Sequence, residues 1–229
     1  MKNLWLGTFN IASGRQPDKT ELSKWLREQK INILGLQEVD EFTRRTPYSM
    51  TDVVKGNYTY DYFSKAISFE EGEYGNAILS NFELSERDSH YFQHFGLEER
   101  IYQRGLIEID GKKLAIYHTH LSFESKEIRA HQVKELLRTV KNDKANYIVI
   151  LGDFNMDQTL EEWEVFHEYQ LVNGRNGIWY QTFNEPDDKM KVFSIDNIIL
   201  SNNIKIEEVR VNQTHLSDHS LLATKISLL

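Results

Sequence analysis

The chain has 229 residues, of which 40% are hydrophobic and 27% charged, a composition typical of one folded globular domain rather than a disordered or fibrous protein. With 27 Lys and Arg against 35 Asp and Glu, its formal net charge of -8 disfavours general binding to polyanions such as duplex DNA. The lack of cysteine excludes disulfides, thiolate metal sites and a cysteine nucleophile.

The first forty residues predict a strand, a helix and a second strand. An apolar run at residues 4–11 predicts the first strand, and Asp18 followed by Glu21 is typical of a helix N-terminus. Residues 31–36 predict a buried strand that ends at Gln37 and Glu38. The N-terminus has no signal-peptide pattern and no apolar run reaches about 18 residues, so we expect a cytoplasmic protein without a stable membrane anchor.

The middle of the chain is harder to interpret. Residues 40–73 are polar and weakly periodic, and residues 81–100 are acidic and aromatic, so both predict long irregular segments, the first with one short helix. Within the second segment, we expect the aromatic stretch from Tyr91 to Phe95 to be packed rather than to form a lid. Asp110-Gly111 lies between two apolar runs and predicts a β-hairpin with a tight turn.

The C-terminal half predicts further strands and two helices. Val133, Leu136, Leu137 and Val140 recur at helical spacing within residues 124–140. A second helix is predicted near 160–169, and strands at 147–151, 192–200, 204–211 and 220–228. Because strands outnumber helices and most are joined as hairpins, we predict one domain over residues 1–229, with two packed, mainly antiparallel sheets and helices outside them.

Four short segments end predicted strands in acid, amide or imidazole groups. They are LQEV with Glu38, GDFN with Asp153 and Asn155, SIDN with Asp196, and SDH with Asp218 and His219. Strand ends of one sheet can meet at a single rim, so we predict an active site there.

A magnesium ion prefers a few oxygen ligands, and Glu38 and Asp218 are the candidate carboxylates. Asn10, at the end of the first predicted strand, could add an amide oxygen or hold a metal-bound water. Taken alone, Glu38 would more often be a solvated loop acid. Its position after a nearly all-apolar strand favours the metal site.

Asp153 could orient or deprotonate a water that Asn155 helps to hold, although an Asx turn explains this pair about as well. Of His118 and His120, which share one strand face, His120 is the candidate donor to a phosphoryl oxygen, and His118 is interpreted as a core histidine bonded to backbone. Asp196 is the candidate acid that orients His219, although Asp218-His219 could be an ordinary strand-entry turn.

Two other metallohydrolase classes fit poorly. The HxH of a metallo-β-lactamase fold is present as His118 to His120, but Ser122 and Phe123 stand where that motif continues with Asp and His. A calcineurin-like phosphoesterase would use GDxxD and GNH segments, whereas Met156 replaces the second Asp and GNH does not occur.

The segments TFNI, LQEV, GNAILS, THL, GDFN, SIDN and SDH occur in an order that resembles the endonuclease/exonuclease/phosphatase superfamily, from Thr8 to His219. The resemblance implies a four-layer αββα sandwich and magnesium-dependent hydrolysis of a phosphate ester, with manganese as a possible substitute. By position, it implies Glu38 as principal metal ligand beside Asn10 and Asp218. It also implies that Asp153 and Asn155 position water, that Asp196 supports His219 and that His120 contacts phosphate.

LQEVDEFTRRTPYS resembles the sphingomyelinase-like and small metal-dependent hydrolase branches of that superfamily. Together with the acidic charge, this favours a small soluble phosphodiester or phosphomonoester over duplex DNA. A nuclease and a catalytically silent phosphoester-binding module stay as alternatives, and the oligomeric state is not predicted. Weaker candidates for substrate contact are Asn76, Arg44, Arg45 and Arg104, of which the paired arginines are more often solvated.

Overall fold

The computed structural model of the protein describes residues 3–93 and 96–229. Two members of the aromatic stretch, His94 and Phe95, lie outside the described residues. Within the described part of that stretch, Phe92 is buried and Tyr91 is about half exposed. No helix in residues 3–93 or 96–229 is both long enough and apolar enough to span a membrane.

Twelve strands, numbered along the chain, form two six-stranded sheets among the described residues. The first sheet has the order β11-β12-β1-β2-β4-β3 and consists of β1 (Asn3–Asn10), β2 (Ile33–Glu41), β3 (Tyr60–Phe69), β4 (Gly72–Ser80), β11 (Ile204–Asn212) and β12 (Leu221–Leu228). The second has the order β5-β6-β7-β8-β10-β9 and consists of β5 (Ser85–Tyr91), β6 (Ile101–Ile109), β7 (Lys112–His120), β8 (Tyr147–Asp153), β9 (Gln170–Leu171) and β10 (Asp196–Leu200). Strand β1 runs parallel to β2, and β7 runs parallel to β8; the other pairs are antiparallel.

Three apolar clusters hold the layers together, because alternate side chains of a strand point to opposite faces of its sheet. In β2, Ile33 packs between the sheets, whereas Leu34 packs outwards against α1 (Lys19–Glu28) and α2 (Met50–Lys55). On the far side, α3 (Lys126–Asn142) and the 3-10 helix Leu160–Phe166 cover the second sheet. The molecule is therefore a four-layer αββα sandwich, and the predicted fold is confirmed.

Local sequence signals are confirmed where they were clear. Asp18 accepts hydrogen bonds from the backbone N–H groups of Thr20 and Glu21 and so begins α1. Asp110 and Gly111 have φ angles of 52° and 75°. Positive φ at both central residues is typical of the two-residue hairpin turn whose twist matches that of the adjoining strands. The segment predicted as a helix near 160–169 is a shorter 3-10 helix.

The prediction of two long irregular segments was wrong in part. Each contains an edge strand: β3 (Tyr60–Phe69) lies at the edge of the first sheet and β5 (Ser85–Tyr91) at the edge of the second. Edge strands are partly solvated, and β5 has the polar sequence SERDSHY, so the apolar alternation that marks a strand is weak there.

Candidate active site

Side chains from both sheets meet at one end of the sandwich. Parallel pairing brings the carboxyl ends of β1 and β2 together in the first sheet and those of β7 and β8 together in the second. The antiparallel β10 starts at the same end, with Asp196 opposite Asp153. A cleft of about 610 Å³ opens here, and its lining includes six of the predicted residues: Glu38, His120, Asp153, Asn155, Asp218 and His219. Two other grooves have volumes of about 860 and 590 Å³. The first is lined mainly by α3 and the second by residues of β5, β6, β7 and the end of α3, and neither shares a lining residue with this cleft.

Asn10 joins the two halves of the site. Its side-chain Nδ2 donates to Glu38 Oε1 and to Asp153 Oδ2, each at 3.0 Å. The amide orientation is fixed because the backbone N–H of Ala12 donates to Asn10 Oδ1 at 3.0 Å, and only the oxygen can accept. Asn10 therefore presents its amide nitrogen to the carboxylates, and a role as an oxygen ligand stays a prediction.

Glu38 is aimed into the cleft by an irregularity in β2. The register between β2 and β4 shifts between Leu36 and Val39, and Glu38 has a left-handed φ of 59°, which is uncommon for a residue other than glycine. Burial raises the pKa of the Glu38 carboxyl, and repulsion from Asp218 adds to this, while Asn10 and His219 act in the opposite direction. The carboxylate is thus held in an unfavourable environment that a nearby cation would improve.

Asp153 lies at the centre of the site. Besides Asn10, its Oδ2 lies 3.5 Å from His120 Nε2 and 3.7 Å from His219 Nε2. Its Oδ1 accepts the backbone N–H of Asn155 at 2.9 Å, so the Asx turn considered as an alternative is present as well and orients the carboxylate. Burial, followed by repulsion from Asp196, raises the pKa of Asp153 to about 7, a value suited to a general base near neutral pH.

His219 and Asp196 form a buried pair across the two sheets. His219 Nδ1 lies 2.9 Å from Asp196 Oδ2, as the sequence predicted for an acid that orients an imidazole. Burial alone would lower the pKa of His219, but Asp196, Asp153 and Asp218 together raise it to about 10. His219 is therefore a cation that faces the central carboxylate.

His120 differs from His219 in charge. Its Nδ1 lies 2.9 Å from Nη1 of Arg100, a residue that the sequence patterns did not identify. Burial, together with the positive charges of Arg100 and His219, holds the pKa of His120 well below its usual range. His120 is a neutral imidazole whose Nε2 faces Asp153.

His118, on the same strand, belongs to a polar bridge between the sheets. Its Nε2 lies 2.6 Å from Gln37 Nε2, and its Nδ1 lies 2.8 Å from Gln103 Oε1. Gln37 also donates to Thr8 at 2.9 Å, and Gln103 donates to Ser64 at 3.0 Å. His118 is thus a core histidine as expected, although its partners are side chains rather than backbone.

The donor chemistry fits a divalent cation on the Glu38 side. Glu38 and Asp218 supply oxygen atoms of the type that magnesium and manganese bind, and the charge of Asp218 disfavours the charged form of Glu38. Arg15 donates from Nε to Asp218 Oδ2 at 3.1 Å and partly offsets this charge. Ligand atoms of Asp153, Asp196 and His219 also lie within 4.8 Å of one another, but the hydrogen bond between the last two favours acid–base chemistry for that group.

The structure places the weaker substrate candidates as follows. Arg45 makes a two-pronged contact with the buried Asp40, and Arg104 does the same with Asp143 in a separate groove. Arg44 is exposed beside Glu71. Each of the three arginines is therefore paired with an acidic side chain of the protein. Asn76 is buried in β4, level with the bulge in β2.

Several cleft residues had no sequence signal that we recognised. Besides Arg100, they include Tyr74, Phe123, Phe183 and Lys189. Phe183 packs edge-on against His219 with ring centroids 5.2 Å apart. Arg100 could have been found by extending the predicted hairpin, because the pairing of Tyr102 with Thr119 continues towards Arg100 and His120.

Comparisons with known proteins agree with this geometry. The sequence profile of the Endonuclease/Exonuclease/phosphatase family matches residues 7–219, whereas curated protein sequences gave no match. The endonuclease/exonuclease/phosphatase from Bacteroides vulgatus has a TM-score of 0.80 at 17% identity, covering 100% of both chains. The mannosyl-6-phosphatase of Bacteroides thetaiotaomicron has a TM-score of 0.72 at 16% identity, covering 98% of this chain and 100% of the other.

TDP2 from D. rerio, solved with a single strand DNA product, has a TM-score of 0.78 at 14% identity, covering 99% of this chain and 100% of the other. At such identities the superpositions show a shared fold. The profile match extends over nearly the whole chain, and the strand-end acids and imidazoles that it includes meet in one cleft. The protein therefore belongs to the endonuclease/exonuclease/phosphatase family of metal-dependent phosphoester hydrolases.

Proposed function

We propose that the protein hydrolyses a small phosphodiester or phosphomonoester, with Mg²⁺ as the working ion and Mn²⁺ able to replace it. The observation that carries the proposal is the position of Asp153, which is buried and contacted by Asn10, His120 and His219. A carboxylate with a pKa near 7 between one neutral and one cationic imidazole is suited to accept a proton from water beside a phosphoryl group.

In this proposal Glu38 and Asp218 hold the ion, and Asn10 keeps Glu38 and Asp153 at a fixed separation. When bound, the ion would neutralise charge on the phosphoryl oxygens. Asp153 takes the proton of the attacking water, which Asn155 helps to place. His219, fixed by Asp196, supplies positive charge, and His120 donates a hydrogen bond to a phosphoryl oxygen.

Charge in the cleft supports a small substrate. Among the described residues, seven carboxylates line the cleft beside Arg100 and Lys189: Glu38, Glu98, Glu124, Asp153, Asp157, Asp187 and Asp218. A long polyanion would be repelled along such a wall, whereas one phosphate next to a bound ion would not. The compared structures include both a mannosyl-6-phosphatase and a protein in complex with single strand DNA, and the charge of this cleft favours a substrate of the first type.

The narrower resemblance to the sphingomyelinase-like branch and the cytoplasmic location stay predictions. A nuclease is the second candidate from the same family, and the salt test in the Discussion separates it from a small-ester hydrolase.

The test is magnesium-dependent hydrolysis of bis-p-nitrophenyl phosphate and p-nitrophenyl phosphate by the wild type, Asp153→Ala and a control, Asp110→Asn. Asp110 is exposed in the β6–β7 turn, so its substitution should leave the rate unchanged. We expect Asp153→Ala to lose about 10²-fold or more of kcat. An unchanged rate in Asp153→Ala would remove the proposed base. A wild type that binds phosphate esters without hydrolysing them would instead favour the silent binding module.

A further inference from the structure

We propose that Arg100 is a positioning residue that fixes His120 in the Nε2–H form, so that the ring presents a donor to the substrate phosphoryl group. The inference rests on the proposed function for the meaning of that donor, but the state of the ring can be tested without catalysis. Arg100 precedes β6 directly, is only 4% exposed and lines the cleft wall.

The chemistry of the contact leaves one assignment for the ring. A guanidinium group has donors and no acceptor, and it stays protonated in proteins. Because Arg100 Nη1 lies 2.9 Å from His120 Nδ1, that ring nitrogen must be the acceptor and carries no proton. A neutral imidazole has one N–H, so it is at Nε2, which faces Asp153 Oδ2 at 3.5 Å.

The charges around His120 act in the same direction. The nearby Arg100 and His219 disfavour a positive charge on the His120 ring, and His118 adds a smaller contribution. Asp153 is the opposing group, since a carboxylate would favour the imidazolium form. Burial and these charges together lower the pKa of His120 and keep it neutral beside an acid, and Arg100 is the charged group that contacts the ring.

Arg100 is itself held in place by neighbours from two segments. Its Nη2 lies 3.1 Å from Glu98 Oε1, and its guanidinium carbon lies 5.9 Å from the ring centre of Phe123. Its buried Nε has no hydrogen-bond partner among the described residues. The fixed side chain gives the two histidines different tasks: His219 is a cation, and His120 is a neutral donor.

The direct test is a long-range ¹H–¹⁵N NMR spectrum of ¹⁵N-histidine-labelled, metal-free protein, which distinguishes the two neutral forms and the cation. The His120 signals are identified by their loss in His120→Gln. We expect wild-type His120 to be neutral and protonated at Nε2 at neutral and mildly acidic pH. In Arg100→Met we expect proton occupancy at Nδ1, and in Arg100→Lys the wild-type form. Arg104→Met, which removes another arginine of this region, should leave the His120 signals unchanged.

Wild-type His120 protonated at Nδ1, or an Arg100→Met ring identical to the wild type, would overturn the inference. The kinetic test is a double-mutant cycle with Arg100→Met and His120→Gln. We expect each single variant to lower kcat by about 10-fold to 10²-fold, and the double variant to be no slower than the worse single one. Multiplying losses would contradict an action of Arg100 through His120. If no ester is hydrolysed, the proposed function fails while the NMR result still decides the state of the ring.

Discussion

At the scale of single residues, the cleft contains ionisable groups whose pKa values are displaced in opposite directions within one hydrogen-bonded set. Burial raises the pKa of Asp153, and the surrounding acids raise that of His219, whereas burial and Arg100 lower that of His120. Such divergence is typical of sites that move protons. The cleft therefore contains a carboxyl group with a pKa near 7, a cationic imidazole and a neutral imidazole.

Glu38→Gln should make the metal-free protein more stable. The pKa of Glu38 is raised in the folded state, so its charge opposes folding at neutral pH, and an amide can still accept from Asn10. We expect a gain on the order of 1 kcal/mol in the free energy of unfolding.

In contrast, magnesium at about 100 times its dissociation constant should stabilise the wild type by about 2.7 kcal/mol and Glu38→Gln by much less. Thermal melts with and without magnesium measure both effects. Asp187→Asn, at the cleft wall, should behave like the wild type. Equal stabilisation of wild type and Glu38→Gln would place the ion elsewhere.

A second residue-scale prediction concerns His118 and pH. Burial lowers the pKa of His118 to about 3, so between about pH 6.5 and pH 3 the unfolded chain binds a proton that the folded chain does not. The contribution of His118 to the free energy of unfolding is therefore fully present above about pH 6.5 and is lost as the pH falls towards about 3. His118→Gln removes the titration and offers an amide to the same partners.

Denaturant unfolding of both proteins at pH 7 and pH 5 measures the difference. We expect the wild type to lose about 2 kcal/mol more than His118→Gln over this interval, since each pH unit below the unfolded pKa contributes about 1.4 kcal/mol. Parallel losses would mean that His118 takes up its proton in the folded state.

At the scale of secondary-structure elements, prediction from sequence succeeded where the cause is local. Helix α1 carries its own N-cap in Asp18, and the β6–β7 hairpin carries its turn in Asp110-Gly111. Strands β3 and β5 were missed because their own apolar pattern is weak, although each pairs with the next strand in the chain. Arg100 was missed because its position beside His120 comes from the pairing of β6 with β7 and not from a recognisable sequence motif.

The placement of the site's acids and imidazoles at one end of the sandwich was predictable, because Glu38, His120 and Asp153 lie near the ends of apolar strands and Asp196 and His219 lie at or just before the start of others. Their charge states were not, since these depend on the packing of both sheets. The orientation of Asn10 and the tight bulge at Glu38 also follow from tertiary contacts, with Ala12 and β4 respectively.

Arg104, a predicted substrate contact, instead links β6 to the end of α3 through hydrogen bonds, and this structural role can be tested. Its Nε and Nη2 donate to the buried Asp143 just after α3, and Tyr117 in β7 donates to the same carboxylate. Arg104→Met leaves that acid with fewer donors, so we expect a loss of about 2 kcal/mol in stability. At a temperature where it stays folded, its KM should lie within about twofold of the wild type. A large rise in KM with unchanged stability would restore Arg104 as a substrate contact.

At the scale of the whole molecule, the net charge of -8 and the acidic cleft predict a weak dependence on salt. A protein that binds many phosphates loses roughly 10³-fold or more of its affinity between about 50 and about 200 mM salt. We expect kcat/KM for a small ester to change by less than about threefold over this range, with no inhibition by duplex DNA. Turnover of duplex DNA above that of small esters at physiological salt would favour the nuclease.

The bridge from Gln37 through His118 to Gln103 crosses the interface between the sheets directly behind the cleft. The first sheet carries Asn10 and Glu38, and the loop between its strands β11 and β12 carries His219. The second sheet carries His120, Asp153 and Asp196. The candidate site is therefore shared between the two sheets, and a shift of one sheet by a single residue would separate Asn10 from Asp153 and His219 from Asp196. A substitution in this bridge, which does not contact substrate, can therefore inactivate the enzyme while each sheet stays folded.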